Sequence, residues 1–368
     1  MTLIELHILQ SFPVTCLNRD DVGAPKSARF GGASRARVSS QCWKRAIRTL
    51  AKDYAPGVFE GQRTRYVVRA LEALFAAKGV AASEAKVLAE LAADAVGKLD
   101  NPEQGNVKTL LFFSPQELDA VVSAVLKLKL DDLLAGLHSG DKKKSEKAAK
   151  ELEKLFKGPA KELAANVKDA ADIAVFGRMV ADDHTLTVEG AGLFSHALST
   201  HAVSNELDFF SAVDDKKPSC DDAGAGHIGT IEFNSACYYR YVGLNLDLLA
   251  DQAHLAHFTA AERNAAIRAF LKASVLAVPP ARKNSMFGFN PPAFVLGLRR
   301  AGQPLSLINA FESPVRGADG FVAASKERLC QHWKELSASY GLTTETRADL
   351  PPDTLDGLLG KLAPEGRG

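Results

Sequence analysis

The chain has 368 residues, 46% hydrophobic and 24% charged, with 45 Lys and Arg against 44 Asp and Glu and a formal net charge of +1. That length supports a large core and two or three domains, and no segment approaches the ~18 consecutive apolar residues of a membrane span. The near-neutral balance excludes a globally basic or acidic protein, so affinity for a polyanion has to come from how charge is segregated along the chain.

The N-terminal MTLIELHILQSF carries an acid and no basic region, so it is not expected to be a secretory signal. Residues 3–9, LIELHIL, alternate and predict a strand with Ile4, Leu6 and Ile8 toward a core and Glu5 and His7 on the other, surface side. Residues 17–48 then run from a loop too rich in charge, Gly and small residues to be core into a helix. The loop holds Arg19, Lys26, Arg29, Arg35 and Arg37. The pair Ser39-Ser40 offers an N-cap, and Gln41–Lys52 has helical composition with Trp43, Ile47 and Leu50 on one apolar face and Lys44, Arg45 and Arg48 largely elsewhere. Free N–H groups at such a helix start, with hydroxyls, amides and clustered cations, suit a phosphate; a solvated basic loop is the competing account.

A strand followed by a helix opens ferredoxin-like and RRM-like domains. Residues 56–170 change character: 64–78, 83–98, 115–137 and 142–168 are Ala-, Leu- and Lys-rich with helical periodicity, starting from Ser83 and Ser114-Pro115 among other points. They read as a helical insertion into the first fold. Its Lys142–Lys144 block fits a solvated helix face better than a nucleic-acid contact. Residues 171–180 have strand composition, and 186–204 are ambiguous between helix and strand. Asp182, Asp183 and His184 are suitable metal ligands by type, but neighbours on an extended segment point to opposite faces and do not converge easily.

Residues 206–229 form a long polar excursion carrying Phe209-Phe210, between strand-like runs at 197–204 and 230–246. Residues 205–222 hold six acids against two Lys, which argues against wide phosphate contact and fits a hairpin reaching a neighbouring subunit or wedging between bases; an ordinary surface loop with one Phe tucked in fits as well. Thr259 and Glu262 form a capping-box pattern for a helix to about Leu276. The loop RKNSMFGFNPP, 282–292, interleaves cations with aromatics and amides, as an RNA-binding loop does; a Pro-flanked turn with packed Phe residues also accounts for it. A strand at 293–300, a last helix at 325–339 and a loosely ordered 343–368 complete the chain.

Charge is indeed segregated. Residues 1–50 hold eight Lys and Arg against three acids, and residues 263–311 hold Arg263, Arg268, Lys272, Arg282, Lys283, Arg299 and Arg300 with no acid. Together they suggest one electrostatic groove assembled from both segments. The five cysteines, Cys16, Cys42, Cys220, Cys237 and Cys330, form no C-x-x-C pair, which argues for reduced thiols in a cytoplasmic protein and against a disulfide framework or a zinc site.

The run CLNRDD (16–21), then FGG (30–32) and RVSSQCWKRAIR (37–48), resembles the N-terminal signature of the CasC family, the backbone subunit of the type I-E CRISPR Cascade complex. FGRMVADD (176–183), HALSTHAV (196–203), ELDFFSAVDD (206–215), HIGTIEFNSACYYRY (227–241) and RKNSMFGFNP (282–291) follow in the family's order, so the resemblance spans residues 1 to about 340. It implies an α+β chain: an RRM-like palm in residues 1–55, 171–204 and 230–368, helical fingers in 56–170 and a thumb in 205–229. It implies guide RNA, target DNA through the guide, other Cascade subunits and further copies of the chain as partners, with no cofactor and no membrane. Arg19, Ser40, Gln41, Lys44, Arg45, Arg48, Lys283 and Asn284 are then the expected RNA-binding residues, and Met179, Phe209 and Phe210 the wedge that kinks the RNA.

No Ser-His-Asp spacing, P-loop or dinucleotide fingerprint is present, so no catalytic residue is assigned. Two alternatives stay open. A metal-dependent RNA-cleaving backbone subunit would use Asp20, Asp21, Asp182 or Asp183 with Mg²⁺. A simple single-site RRM-type binder explains the groove but not the helical insert or the acidic excursion.

Overall fold

The first predicted strand is twice its alternating core: in the computed structural model of the chain, β1 runs Thr2–Thr15. The structure describes all residues except 102–103, 129, 138–141, 161–166, 180–185, 213–226, 318 and 364–368, and only the backbone of 131, 136, 137, 142, 157, 159, 160 and 227. The fold is α+β, with an antiparallel sheet and eleven α-helices among the described residues. It separates into two compact units: Met1–Tyr54, Gly192–Asp247 and Ile267–Gly368, and Ala55–Ala191 with Leu248–Ala266.

In the first unit β1 lies between β11 (His227–Asn245) and β12 (Phe294–Ala301). The sheet continues through β13 (Thr346–Leu350) beyond β12 and through β9 (Ala197–Ser199), β3 (Ala33–Val38) and β2 (Ser27–Phe30) beyond β11. The strands β8 (Gly192–Phe194) and β10 (Glu206–Ala212) also pair with β11. Register puts Glu5, His7 and Leu9 on one face with Tyr239, Tyr241, Leu296 and Leu298, and Leu6 and Ile8 on the other with Arg240, Val242 and Val295. Helix α10 (Val322–Tyr340) packs Leu329 and Trp333 into the first face with Phe311 of a 3-10 turn. Helices α1 (Ser40–Tyr54), α9 (Ala260–Leu276) and α11 (Leu355–Leu362) serve the second, α11 fitting beside β12 where Gly297 has no side chain to oppose Leu362.

Burial on both faces corrects the expectation for Glu5 and His7, which are in the core and not on the surface. Both have partners there, although His7 Nε2 is left without one. Glu5 pairs with buried Arg300 and accepts from the Tyr241 hydroxyl (2.7 Å) and the Leu305 amide (2.8 Å). His7 Nδ1 lies 2.9 Å from the Tyr239 hydroxyl. A one-sided sheet would have left this edge of the alternation in water; the second helical layer removes that option.

A second correction concerns the C-terminal stretch expected to be loosely ordered. Residues 343–363 supply β13 and α11, held because the Thr354 hydroxyl caps the Gly357 amide (3.0 Å) and Leu358, Leu359 and Leu362 are buried. A third concerns 171–180. Ala171–Phe176 is a short helix, α7, with all six residues buried, and Arg178 then bridges to Val188. A short run buried on every side, Asp172 included, cannot be assigned to helix or strand by periodicity. The stretch 186–204 contributes only β8 and β9.

The second unit is a helical cluster. Helices α2 (Val67–Ala77), α3 (Ala82–Gly97), α4 (Pro115–Val125), α5 (Asp131–Leu137) and α6 (Lys142–Ala160) close over Leu71, Phe75, Leu88, Val122, Leu152 and Phe156. The predicted 115–137 helix is thus two. Ser114 opens α4 with a reciprocal capping box to Glu117, whereas α3 starts from Ala81 with no side-chain cap, not from Ser83. Two small ribbons, β4 (Gln62–Thr64) with β7 (Leu111–Phe113) and β5 (Leu99–Asn101) with β6 (Asn106–Val107), have no counterpart in the sequence reading. After a short helix α8 (Leu246–Leu249), Thr259 and Glu262 form the expected capping box at the start of α9.

The buried ring of His7 is held neutral, its pKa lowered to about 3 by burial first and by Arg300 second. An unfolded histidine protonates near 6.5, so unfolding takes up a proton between those values; the stability is fully present above about pH 6.5 and is lost as pH falls toward 3. His7→Gln is therefore expected to flatten the fall of the urea midpoint between pH 6.5 and 4.

Candidate nucleic-acid interface

The loop before α1 is built by its own polar side chains. Asp20 Oδ1 accepts from the Val22 (3.1 Å) and Ala24 (2.8 Å) amides, which closes a turn. Asn18 Oδ1 accepts from the Ser39 amide (2.8 Å) and ties that turn to the helix start. The segment 27–38 is not loop but a hairpin, β2–β3, turned through Gly31-Gly32, both at positive φ. Gly31 lies against the Glu312 carbonyl, where a side chain has no room.

Ser39, as expected, is the cap of α1: its hydroxyl accepts from the Cys42 amide (3.3 Å). The helix start is less open than the sequence suggests, because the Ser40 amide donates to His196 Nδ1 (2.9 Å). Trp43 and Ile47 are buried and Leu50 is half-buried. The Trp43 ring stacks on the guanidinium of buried Arg240, 4.0 Å away, and Arg240 donates to the carbonyls of Ser274 (3.2 Å) and Val275 (3.3 Å) at the end of α9. Burial pulls the Arg240 pKa down to about 9. This stack seats α1 so that Gln41 and Arg45 face solvent, while the Lys44 ammonium lies over the Phe194 ring at 5.0 Å and Arg48 is half-buried.

Several cations counted toward the groove are used inside the protein. Arg35 is fully buried and donates to the carbonyls of Ser199 (3.0 Å), Phe311 (2.8 Å) and Glu312 (3.1 Å). Arg300 is buried on Glu5, Arg299 pairs with Glu345 (3.1 Å), Arg268 donates to the Ala363 carbonyl (3.2 Å), and Lys272 lies over the Tyr54 ring. Arg263 belongs to the second unit and donates to Leu255 and Phe258 carbonyls. The groove is therefore smaller than the charge count implies.

What remains does converge. Burial pushes the Cys16 thiol pKa up, with Arg282 and Arg19 opposing it, and burial raises that of Cys42, with Lys26 and Arg45 opposing it. Asp20 and Glu232 act on Cys16 in the same direction as burial, so cations from both segments share this region with acids. A pocket of about 500 Å³ lies between α1 and residues 276–289, with Arg45 on one wall and Lys283 on the other. Lys283 and Asn284 are exposed, as are the Phe287 (72%) and Phe289 (48%) rings. The 282–292 loop is anchored by Gln10 Nε2 donating to the Asn290 carbonyl (2.6 Å), and its turn by the Ser285 and Met286 amides on the Arg282 carbonyl.

The acidic excursion begins and ends as a two-stranded ribbon, β10 against His227–Phe233 of β11, with residues 213–226 outside the described region. Opposed residues share a face. Leu207, Phe209 and Ile228 fall on one face and are exposed, Phe209 at 66%. Phe210 falls on the other, at 36% exposure, with its ring over Gly229, where a Cβ would come within 2.5 Å of it. Leu207 and Ile228 were missed in the sequence; the alternation of 207 with 209 is the signal for the first, and only the register reveals the second. In the second unit Met179 is 81% exposed, directly after Arg178, which is buried on Glu117 (2.7 Å). Asp182, Asp183, His184 and Cys220 lie outside the described residues; among those described, no group of three or more metal-ligating side chains occurs. No helix among them is long and apolar enough to cross a membrane.

Clustered cations beside exposed rings, on an α+β scaffold, are the chemistry of a surface that binds a single-stranded polyanion with little regard to sequence. The chain belongs to the Cas_CT1975 family, described as CT1975-like protein, whose model matches residues 4–353. Its structure is similar to a chain of a CRISPR RNA-guided surveillance complex, pre-nicking, with a TM-score of 0.79 and 26% identity over 99% of this chain and 95% of that one. A chain of a second CRISPR RNA-guided surveillance complex has the same fold, with a TM-score of 0.58 and 22% identity over 97% and 93%. No curated protein matches the chain.

The two kinds of arginine are separable by experiment. Arg35→Met should lower stability by about 2–4 kcal/mol in urea, because the carbonyls of Phe30, Ser199, Phe311 and Glu312 each lose the guanidinium donor. Arg45→Ala with Lys283→Ala should instead leave the urea midpoint unchanged and elute earlier from a heparin column.

Proposed function

We propose that this chain is the guide-RNA-binding backbone subunit of a CRISPR surveillance complex, of the CasC kind found in type I-E Cascade. The observation that carries the reading is the meeting of Arg45 and Lys283 at one pocket, beside exposed aromatics, in a chain similar over 99% of its length to a chain of an RNA-guided surveillance complex. The first unit corresponds to an RRM-like palm, the second to the fingers, and the β10–β11 ribbon to the thumb. Several copies would line up along one guide RNA, with other Cascade subunits beside them and target DNA joined through the guide, in the cytoplasm.

Arg19, Gln41, Lys44, Arg45, Arg48, Lys283 and Asn284 grip phosphates and sugars in this reading, with the Ser40 hydroxyl beside them. Such contacts supply affinity without reading sequence, which a carrier of variable guides requires, since base pairing does the reading. Met179 and the thumb supply the wedge that kinks the RNA. Phe209 is the stronger thumb candidate than Phe210, because its ring shares an exposed face with Leu207 and Ile228 while the Phe210 ring covers Gly229. The reading assigns the chain no catalytic step and no cofactor.

Native mass spectrometry with RNAs of graded length, with and without Mg²⁺, tests the proposal. Copies of the chain should step up with RNA length and the RNA should stay whole. One copy at every length points to a single-site binder, and Mg²⁺-dependent cutting at regular spacing points to a nuclease; either result overturns the backbone reading. Lys44→Ala with Arg45→Ala should weaken binding and flatten its salt dependence, by about 0.7 in log–log slope for each phosphate no longer neutralised.

A further inference from the structure

The segment 192–203 gives no residue to the RNA-binding set named above, yet His196 lies against the start of α1. We propose that His196 is a further RNA-binding residue, its Nε2–H donating to a backbone oxygen of the bound strand, either a phosphate oxygen or a ribose 2′-hydroxyl. This rests on the RNA-binding reading above and adds to it a donor of a different kind from its cations.

The strands place the ring. β8 pairs with β11, and β9 pairs with both β11 and β3, so Ser195 and His196 between them are held from either side. The Ser195 amide also donates to the Tyr241 carbonyl (3.3 Å). Arg37 opposes Leu198 and Val38 opposes Ala197, so the next step of that register sets His196 opposite Ser39, the cap of α1. His196 is exposed, and the exposed side chains of Gln41 and Arg45 stand on the first two turns of that helix. Lys44 brings its ammonium to the same segment, over the Phe194 ring.

One hydrogen bond decides which nitrogen is offered to a ligand. The Ser40 amide donates to Nδ1, so Nδ1 keeps its lone pair and the ring proton sits on Nε2. One nitrogen is thus used on the helix start, and an N–H is left on the far side of the ring. Linked hydrogen bonds polarise one another, so the Ser40 donor makes the outer N–H a better donor. The start of α1 donates outward through this ring.

The character of that donor decides what it recognises. A ring that accepts at Nδ1 carries no net charge, so it adds a directional bond without adding long-range attraction. Acids in the neighbouring 18–24 turn therefore oppose it less than they oppose the cations. Backbone oxygens are present on every nucleotide, whereas the pattern on a base edge changes from guide to guide. A fixed donor suits the first and not the second.

Asparagine separates the two roles of the ring. In His196→Asn the side-chain oxygen takes the place of Nδ1 and still accepts from the Ser40 amide, but no donor reaches the place of Nε2. The test measures binding of the full chain to single-stranded RNA over a range of salt, with a urea melt of each variant and Lys44→Ala for comparison. His196→Asn should keep the wild-type urea midpoint and weaken RNA binding roughly two- to ten-fold, the loss of one uncharged hydrogen bond. Its log–log salt slope should match the wild type, because no phosphate loses a neutralising charge, whereas Lys44→Ala should flatten the slope. Single-stranded DNA of the same sequence then identifies the acceptor: an equal loss assigns a phosphate oxygen, and no loss assigns the 2′-hydroxyl. A second measurement needs no variant to fold. In NMR spectra of the ¹⁵N-histidine-labelled wild type with a short RNA, the His196 Nε2–H should become protected from exchange with water while Nδ1 stays unprotonated. Wild-type affinity in His196→Asn, a salt slope flattened as in Lys44→Ala, or an Nε2–H that exchanges as fast with RNA as without it overturns the assignment. A wild-type chain that binds no RNA of any length overturns the functional reading itself, an outcome distinct from RNA bound with His196 unused.

Discussion

Arg240 holds the first unit in register. It is a buried guanidinium with no ion pair to a carboxylate among the described residues, sandwiched between the Trp43 ring and the last carbonyls of α9. The desolvation it suffers is offset by the face of an aromatic ring and by the negative end of a helix dipole. Arg240 stands on β11 and its three contacts come from α1 and α9, so one side chain sets all three elements relative to each other. Arg45 is two residues from Trp43, and Lys283 lies eight residues beyond the nearest carbonyl that Arg240 holds. Their convergence follows from that clamp more than from any contact between the two cations.

Arg35 and Arg300 repeat the device on other strands. Arg35 gathers carbonyls from β9 and from the 3-10 turn region, and thereby fixes the β2–β3 hairpin. Arg300 joins Glu5 at the centre of the sheet. In both cases the charge is structural, and counting it toward a surface groove overstates that groove. Part of this was legible. Arg299 and Arg300 are neighbours on a strand, and neighbours point to opposite faces; in a sheet covered on both sides, both need protein partners. What was not legible was the second covering layer. A strand that alternates cleanly, as Ile4-Glu5-Leu6-His7-Ile8 does, reads as half-exposed until the elements that bury Glu5 and His7 are known.

Local chemistry was the most readable level. The caps at Ser39, Ser114 and Thr259 each depend on residues within four positions, and each is formed. Elements decided by tertiary context were not: α7 is a short, wholly buried run with no period of its own, and the small ribbons of the second unit are too short to carry one. The C-terminal stretch was misread because Pro and acidic residues dominate its composition, while three leucines decide its fate. At the candidate site, the basic α1 surface and the aromatic loop were visible separately. Their shared pocket depends on Leu17, Ala46, Leu50 and Leu276, ordinary apolar residues with no signature of their own.

The ribbon of β10 and β11 shows how little of an interface need be specified by charge. A two-stranded ribbon exposed on both faces is marginal by itself, yet this one extends directly from β11, whose other half is buried beside β1. Its base is therefore held by the sheet. Gly229 opposite Phe210 allows the ring to fold across the backbone, which covers an otherwise bare stretch of strand and uses up that aromatic on one face. Leu207, Phe209 and Ile228 are left on the other, exposed among the described residues. Apolar side chains held out in this way are costly in isolation, and contact with a base or another chain relieves that cost. Under the proposed reading the labour divides physically: cations on a rigid palm supply attraction that ignores sequence, and an apolar ribbon supplies shape. Neither reads a base edge, so the guide remains free to do so.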